Sequence, residues 1–198
     1  MKVYFCMQLT IPSDAFSDGQ VRSKMWLTHS FNSWAAKHLN PEVRLTLNWY
    51  GSWVGIGPLL LLSSTTVHFN QINVFDQDPT SLKTSLMVLN HWFIQNRVHG
   101  DSKDVNTHIP AQDPHQLFIN TACEHFTSDN WLKLIPKDSY VLLQSTNMTH
   151  DEHLNCSQSL EDFRKRYHAL VDIFELSQLD FHYTNKEFSR FMLFGQKK

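Results

Sequence analysis

The sequence predicts an α/β protein with a mostly parallel sheet and an antiparallel C-terminal hairpin. Strand-like and helix-like segments alternate along most of the chain, and the last two strand-like segments, 173–183 and 188–195, are separated by a turn at 184–187. Alternating strands and helices favour parallel strands joined by helical crossovers. Two strands joined by a short turn instead pair antiparallel.

Length and composition indicate one globular domain, 1–198. The chain is 41% hydrophobic and 18% charged, with a net charge of −2 when histidines are neutral. This near-neutral charge gives no electrostatic argument for nucleic acid or an anionic membrane, and no apolar run approaches bilayer-spanning length. Its three widely spaced cysteines do not resemble a disulfide framework, which favours a cytoplasmic location.

The N-terminal part is predicted to be an arm followed by a cover helix, with the α/β core occupying 42–198. Residues 1–10 are interpreted as a short strand or an arm. Residues 19–39 are predicted to form a helix with a broad apolar face, which ends at Asn40-Pro41. This helix either packs on one sheet face or lies over a substrate pocket as a lid.

The segment 45–78 carries the strongest functional pattern. A strand predicted at 45–50 leads into the glycine-rich turn 51–57, a short apolar helix, and a second strand at 72–75 that ends in Asp76. Glycine lets the backbone turn sharply and approach a ligand, and a carboxylate at this strand end can accept hydrogen bonds from two ribose hydroxyls. The layout is typical of a nucleotide-binding βαβ unit, although its G-x-x-x-G-x-G spacing also suits a turn without a ligand.

The remaining elements continue the alternation. A helix is predicted at 79–92, because Asp78 and Pro79 form a helix start, and 93–99 lies where a third strand belongs. Further strands are predicted at 117–119 and 140–143, and further helices at 129–134 and from a capping box at Ser159 to about residue 170.

This order of elements resembles the class I methyltransferase fold, a Rossmann-like domain that binds S-adenosylmethionine. More specifically, the chain resembles a family of small uncharacterised methyltransferase-like proteins of bacteria and phages. The matching stretches are 19–27, 51–55, 75–79, 118–125, 135–136, 143–145, 152–156 and 190–195. They cover nearly the whole domain, and Asn-Thr-Ala-Cys-Glu-His at 120–125 is the most specific of them.

The resemblance implies S-adenosylmethionine as the cofactor and assigns residues to it. The implied cofactor-binding residues are Gly51, Ser52, Trp53, Gly55, Asp76, Asp101 and Asn120. The turn residues would lie under the methionine and ribose portions of the cofactor, and Asp76 would hold the ribose diol. Asp101 would meet the adenine amino group, and Asn120 would lie near the reactive sulfonium.

Two tryptophans depart from the general class I pattern. Trp49 stands where an acidic residue is expected, two positions before the first glycine of the turn. Trp53 stands where the central glycine of G-x-G-x-G is expected. An indole at that position prevents close approach to the backbone, so Trp53 either covers the ligand or fills the core.

Glu124 and His125 are the predicted catalytic residues. Methyl transfer from a sulfonium is an in-line displacement, so the protein must position the acceptor and sometimes remove a proton. Either side chain could act as a general base or orient an amine, or could hydrogen-bond nearby backbone and shape the loop. The polar loop 146–157 contains His150, His153 and Cys156, but this spacing is not specific for a metal, and no metal is predicted.

The predicted function is an S-adenosylmethionine-dependent methyltransferase acting on a small molecule. The Asn-Pro-Pro-aromatic motif of many amino methyltransferases is absent after the fourth strand. The lack of a basic excess also argues against a nucleic-acid acceptor, and no membrane partner is expected.

One alternative is a non-catalytic cofactor-binding or regulatory protein, which Trp49 and Trp53 favour. Another is transfer of the aminocarboxypropyl arm of the same cofactor.

Overall fold

The computed structural model describes residues 9–95, 97–113 and 115–198, which form a seven-stranded mixed sheet. Its strands are β1 Arg44–Tyr50, β2 His68–Phe75, β3 Val98–Asp101, β4 Gln116–Asn120, β5 Tyr140–Thr146, β6 Val171–Tyr183 and β7 Lys186–Lys197. The strand order is β3-β2-β1-β4-β5-β7-β6. Neighbours among β1 to β5 are parallel, whereas β7 is antiparallel to both β5 and β6, which confirms the predicted fold class.

One long helix precedes β1, and the other α-helices lie between strands along the chain. The α-helices are α1 Asp18–His38, α2 Ile56–Ser64, α3 Pro79–Val88, α4 Asn90–Phe93, α5 Asn130–Leu134 and α6 Leu160–Tyr167, with 3-10 helices at Ser13–Phe16 and Cys123–His125. None of the helices in the described ranges is both long and apolar enough to cross a membrane. Most of the predicted arm, residues 1–8, lies outside the described residues.

Two hydrophobic cores cover the two faces of the sheet, because successive strand residues point to opposite faces. On one face, the middle of α1 places Leu27, Phe31 and Ala35 in a cluster with alternate residues of β1, such as Leu45 and Leu47. Helices α2 and α3 add to the same cluster. Most of α1 therefore packs against one face of the sheet, which was the first of the two roles predicted for this helix.

The other face is covered by the C-terminal half of the chain. Trp131 of α5 and Phe163 of α6 are fully buried against Phe118 of β4 and Val141 of β5. The burial of large rings on this face stabilises the carboxyl ends of β4 and β5. The loops that follow these strands are thus held on a rigid support.

Among the element boundaries that differ from the sequence-based prediction, three have a clear local cause. The predicted helix 79–92 is interrupted at Leu89, which is fully buried and leaves helical geometry at ψ 15°, so that α4 is a separate turn. The predicted third strand, 93–99, begins only at Val98, because the Arg97 amide first bonds the Trp92 carbonyl in a turn. The last predicted helix ends at Tyr167 and not near 170, because the chain turns there into β6.

Gly195 supports a prediction about sheet stability, since its backbone is crowded by the neighbouring strand. A Cβ atom at this position would overlap the carbonyl oxygen of Asp172 on β6. We expect Gly195→Ala to lower the free energy of unfolding by about 1–3 kcal/mol, the usual cost of overpacking. Urea denaturation followed by circular dichroism measures this change.

Gly19→Ala is the matched control, because Gly19 lies in α1 and its added Cβ would meet no atom among the described residues closer than 3.5 Å. Alanine favours the helix over glycine, so this variant should be neutral or more stable by up to about 1 kcal/mol. Equal unfolding midpoints for the two variants would contradict the crowding argument.

Candidate functional site

A cavity of about 790 Å³ opens where the carboxyl ends of the central parallel strands meet. In open α/β sheets, ligands bind at this edge, where the strand order reverses. The lining includes Gly51, Ser52 and Trp53 after β1, Asp76 after β2, Thr121, Ala122, Glu124 and His125 after β4, His150, Glu152 and His153 after β5, Gln20 and Lys24 of α1, and Arg190 of β7. The first turns of α1 thus lie beside this cavity, which is the second role predicted for the helix.

The turn after β1 has the backbone geometry of a ligand-binding loop despite its tryptophan. Gly51 and Gly55 adopt φ angles of 64° and 83°, and Trp53 adopts 46°. Such left-handed geometry is uncommon for residues other than glycine. The half-buried Trp53 side chain packs beside Val54 and Ile56, so it fills one wall of the cavity.

Asp76 stabilises this unusual turn. Its Oδ2 accepts a hydrogen bond of 2.7 Å from the Trp53 amide, and its Oδ1 accepts one of 3.1 Å from the Asp78 amide. Burial raises the pKa of Asp76, and the two backbone N–H groups oppose that rise. A carboxylate held this way keeps further acceptor positions directed at the cavity, where it can bind paired hydroxyl groups.

Gly55 acts through packing, whereas Gly57 and Trp49 pack against each other and also line the cavity. A Cβ at Gly55 would lie 2.9 Å from Ser85, so Gly55 permits the close approach of α2 to α3 and does not itself line the cavity. A Cβ at Gly57 would lie 2.5 Å from the Trp49 ring. The buried Trp49 indole therefore occupies the space beneath the turn, where the general pattern has an acidic residue.

Like Gly55, the predicted cofactor residues Asp101 and Asn120 are not among the described residues that line the cavity. Asp101 ends β3, forms an ion pair with Lys103 and faces a smaller neighbouring depression. Asn120 is fully buried, and its Oδ1 accepts a 2.9 Å hydrogen bond from the amide of Ala122. Asn120 thus holds the backbone of a lining residue.

The cavity has a charged end, of which Glu124 was predicted from the sequence and Arg190 and Lys24 were not. Glu124 is buried, and its Oε1 accepts a hydrogen bond of 3.4 Å from Arg190, which is also buried. Burial and the nearby Arg190 lower the pKa of Lys24 to about 7, and Glu124 opposes that shift. A charged residue within the largely apolar segment 188–194 was the signal that could have identified Arg190.

The loop between β5 and α6 is fastened over Glu124. The amides of Leu154 and Asn155 donate hydrogen bonds of 2.8 and 2.9 Å to the Glu124 carbonyl. Arg166 of α6 donates to the Asn155 carbonyl at 2.7 Å and to both carboxylate oxygens of Asp129. These bonds fix the loop against the predicted catalytic segment.

His125 and His153 meet across this contact, with ring centroids 4.8 Å apart. Partial desolvation by the surrounding protein lowers the pKa of the exposed His125, which favours its neutral imidazole. The neighbouring Cys123 thiol is fully buried, and burial raises its pKa, which keeps it protonated and unreactive. The cavity therefore has the Asp76 carboxylate at one end and Glu124, His125 and His153 at the other.

Comparisons with known proteins identify the fold. No protein-family model matches the sequence, and no curated protein matches it significantly. Solved structures do match. N-methyltransferase NodS from Bradyrhizobium japonicum WM9, in complex with S-adenosyl-L-homocysteine, is 11% identical, with a TM-score of 0.65 and coverage of 92% of this chain and 90% of that chain.

Two further structures agree. Magnesium protoporphyrin IX methyltransferase (ChlM) from Synechocystis PCC 6803 is 11% identical, with a TM-score of 0.64 and coverage of 92% and 88% of the two chains. A SAM-dependent methyltransferase from Geobacter sulfurreducens is 8% identical, with a TM-score of 0.62 and coverage of 87% and 91%. Identities this low establish a shared architecture and not a shared substrate. The chain therefore has the class I S-adenosylmethionine-dependent methyltransferase fold.

Proposed function

We propose that this protein is an S-adenosylmethionine-dependent methyltransferase that acts on a small molecule. One observation carries the proposal: the Asp76 carboxylate and the turn after β1 line a single cavity at the carboxyl edge of a class I sheet. Solved structures of this fold, among them NodS and ChlM, hold S-adenosylhomocysteine. The cytoplasmic location and the absence of a nucleic-acid or membrane partner remain predictions.

In this proposal, Asp76 binds the two ribose hydroxyls, and Gly51, Ser52 and Trp53 contact the cofactor from the turn. Gly51 supports such a contact because it lines the cavity, and a Cβ there would come within 3.3 Å of Ala122. Ser52 also lines the cavity, and its buried hydroxyl has no hydrogen-bond partner among the described residues. A ligand hydroxyl or carboxylate would satisfy that hydroxyl.

The remaining predicted cofactor residues take indirect roles. Gly55 shapes the turn through its contact with Ser85, and Asn120 positions Ala122. For Asp101 to reach an adenine amino group, its side chain must turn away from Lys103. We therefore expect Asp101 to contribute less than Asp76.

The charged end of the cavity would hold the methyl acceptor. At about 790 Å³ the cavity lies within the ~300–1,000 Å³ typical of small-molecule sites. His125, neutral and exposed to the cavity, is the better candidate for a general base. Glu124, which is buried and bound by Arg190, is better placed to orient the acceptor.

A first prediction concerns cofactor binding. Hydrogen bonds to a charged group contribute about 1.5–3 kcal/mol, so we expect Asp76→Asn to weaken S-adenosylhomocysteine binding by at least about tenfold. Isothermal titration calorimetry on the full chain measures the affinity, with circular dichroism to establish that the variant is folded.

Asp101→Asn is the matched control, because it changes the same chemical group outside the cavity lining. The affinity of this variant for S-adenosylhomocysteine should stay within a few-fold of that of the unaltered protein. An equal loss in both variants would instead support the predicted adenine contact of Asp101. No binding to the folded, unaltered protein would overturn the cofactor assignment.

A second prediction concerns transfer. With S-adenosylmethionine labelled in its methyl group and a metabolite extract as acceptor mixture, label should enter the small-molecule fraction and S-adenosylhomocysteine should accumulate. General-base catalysis contributes about 10²–10⁴-fold, so His125→Gln should lower the transfer rate by about 100-fold while cofactor affinity is retained.

Product analysis separates the alternatives. Accumulation of methylthioadenosine would indicate transfer of the aminocarboxypropyl arm, and cofactor binding without any product would indicate a non-catalytic protein. Label that enters added RNA or protein instead of small molecules would contradict the proposed acceptor class.

A further inference from the structure

We propose that Glu124, His125 and His153 form a binding site for one divalent first-row transition-metal ion, such as Zn²⁺. One potential ligand atom from each residue lies within 4.8 Å of the other two. In tetrahedral geometry, zinc bonds of about 2.0–2.2 Å hold ligand atoms about 3.3–3.6 Å apart. Closing the site therefore needs the ligand atoms to approach one another by up to ~1.5 Å, and the exposed position of His125 leaves its side chain room to move.

The carboxylate of Glu124 is the strongest evidence for a ligand. Glu124 is 1% exposed, and its Oε2 has no hydrogen-bond partner among the described residues, whereas its Oε1 is bound by Arg190. Leaving a buried charged oxygen unsatisfied is costly, because its desolvation is not compensated. A metal ion beside the two histidines would satisfy it.

His153 is oriented as metal-binding histidines are. Its Nδ1 lies 2.7 Å from the carbonyl oxygen of Met148. A carbonyl oxygen can only accept, so Nδ1 carries the proton and donates it, which leaves the Nε2 lone pair free. A histidine that donates one ring N–H to a carbonyl while the other nitrogen binds a metal is the usual arrangement in metal sites.

The backbone holds the three ligands together before any ion binds. The Glu124 carbonyl accepts hydrogen bonds from Leu154 and Asn155, which fixes the position of the preceding His153. Arg166 anchors Asn155 from α6. A fixed set of ligands binds a metal more tightly than a flexible one, because fewer side chains and loops must be ordered on binding.

The donor set defines the class of ion. Two imidazoles and one carboxylate suit zinc and neighbouring transition metals, whereas magnesium and calcium prefer oxygen ligands. Three protein ligands leave a coordination position open to the cavity, as in catalytic zinc sites. The positive charge of Arg190 lies near the site and reduces its affinity for a divalent ion.

His150 is close to this cluster but is not a ligand in this geometry. Its ring centroid lies 5.3 Å from that of His153. Its Nδ1 accepts a hydrogen bond of 3.3 Å from the Glu152 amide, so that lone pair is occupied. His150 therefore provides a matched control on the same loop.

The proposed site does not depend on methyl transfer. Metal binding is measured without S-adenosylmethionine, so its failure is distinguishable from failure of the cofactor assignment. When an ion is bound, Glu124 and His125 act as its ligands and no longer as free bases, so the ion would take over orientation of the acceptor.

The test is calorimetric titration of the untagged, EDTA-treated full chain with zinc chloride, followed by cobalt titration monitored by visible absorption. We expect one saturable site, with cobalt absorption typical of nitrogen and oxygen ligation. His153→Ala and His125→Ala should each weaken zinc binding by at least about tenfold, since even changes outside the ligand set cost about 10–100-fold. His150→Ala should bind as the unaltered protein does.

Glu124→Gln adds a further check, because it removes the charge and keeps the shape of the side chain. Its folding is followed by circular dichroism, and the two histidine variants keep the proposal testable if Glu124→Gln does not fold. Absence of a saturable site, or binding that survives both His125→Ala and His153→Ala, would overturn the proposal. An equal loss in His150→Ala would also overturn it, because it would indicate a different ligand set.

Discussion

The arrangement of the site depends on Glu124, which bonds through its side chain to one strand and through its backbone to a loop. Its carboxylate pairs with Arg190 of β7, and its carbonyl accepts the amides of Leu154 and Asn155. Removing one partner of a buried ion pair leaves an uncompensated charge, which is strongly destabilising. These contacts therefore bring three segments that are distant in sequence to one end of the cavity and keep them there.

The opposite end of the cavity depends on a different constraint, the hydrogen bond from the Trp53 amide to Asp76. A tryptophan in left-handed geometry is strained relative to glycine. The carboxylate offsets part of that strain, and the indole adds packing beside Val54 and Ile56. The same carboxylate that faces the cavity thus also maintains the backbone around it, which couples binding at this end to the shape of the turn.

The sequence was sufficient for the architecture and for several of the residues that line the cavity. The apolar strands β1, β4 and β5 and the C-terminal hairpin have strong patterns, whereas β3 is a short strand containing His99 and Gly100, with little pattern to detect. Asp76 was predictable because it directly follows a strand. Arg190 and Lys24 were not assigned roles, and the approach of His153 to Glu124 results from loop hydrogen bonds that no sequence spacing encodes.

The unsatisfied Glu124 oxygen connects the architecture to chemistry. A buried polar atom without a partner costs about 1–3 kcal/mol, and more when it is charged, which is a large fraction of a typical domain's stability. Arg190 could compensate fully only by binding both oxygens, yet it reaches Oε1 alone, and its own Nε has no partner among the described residues. Both residues line the cavity. In the proposed site, a bound ion or acceptor would complete the two groups that the pair leaves without a partner.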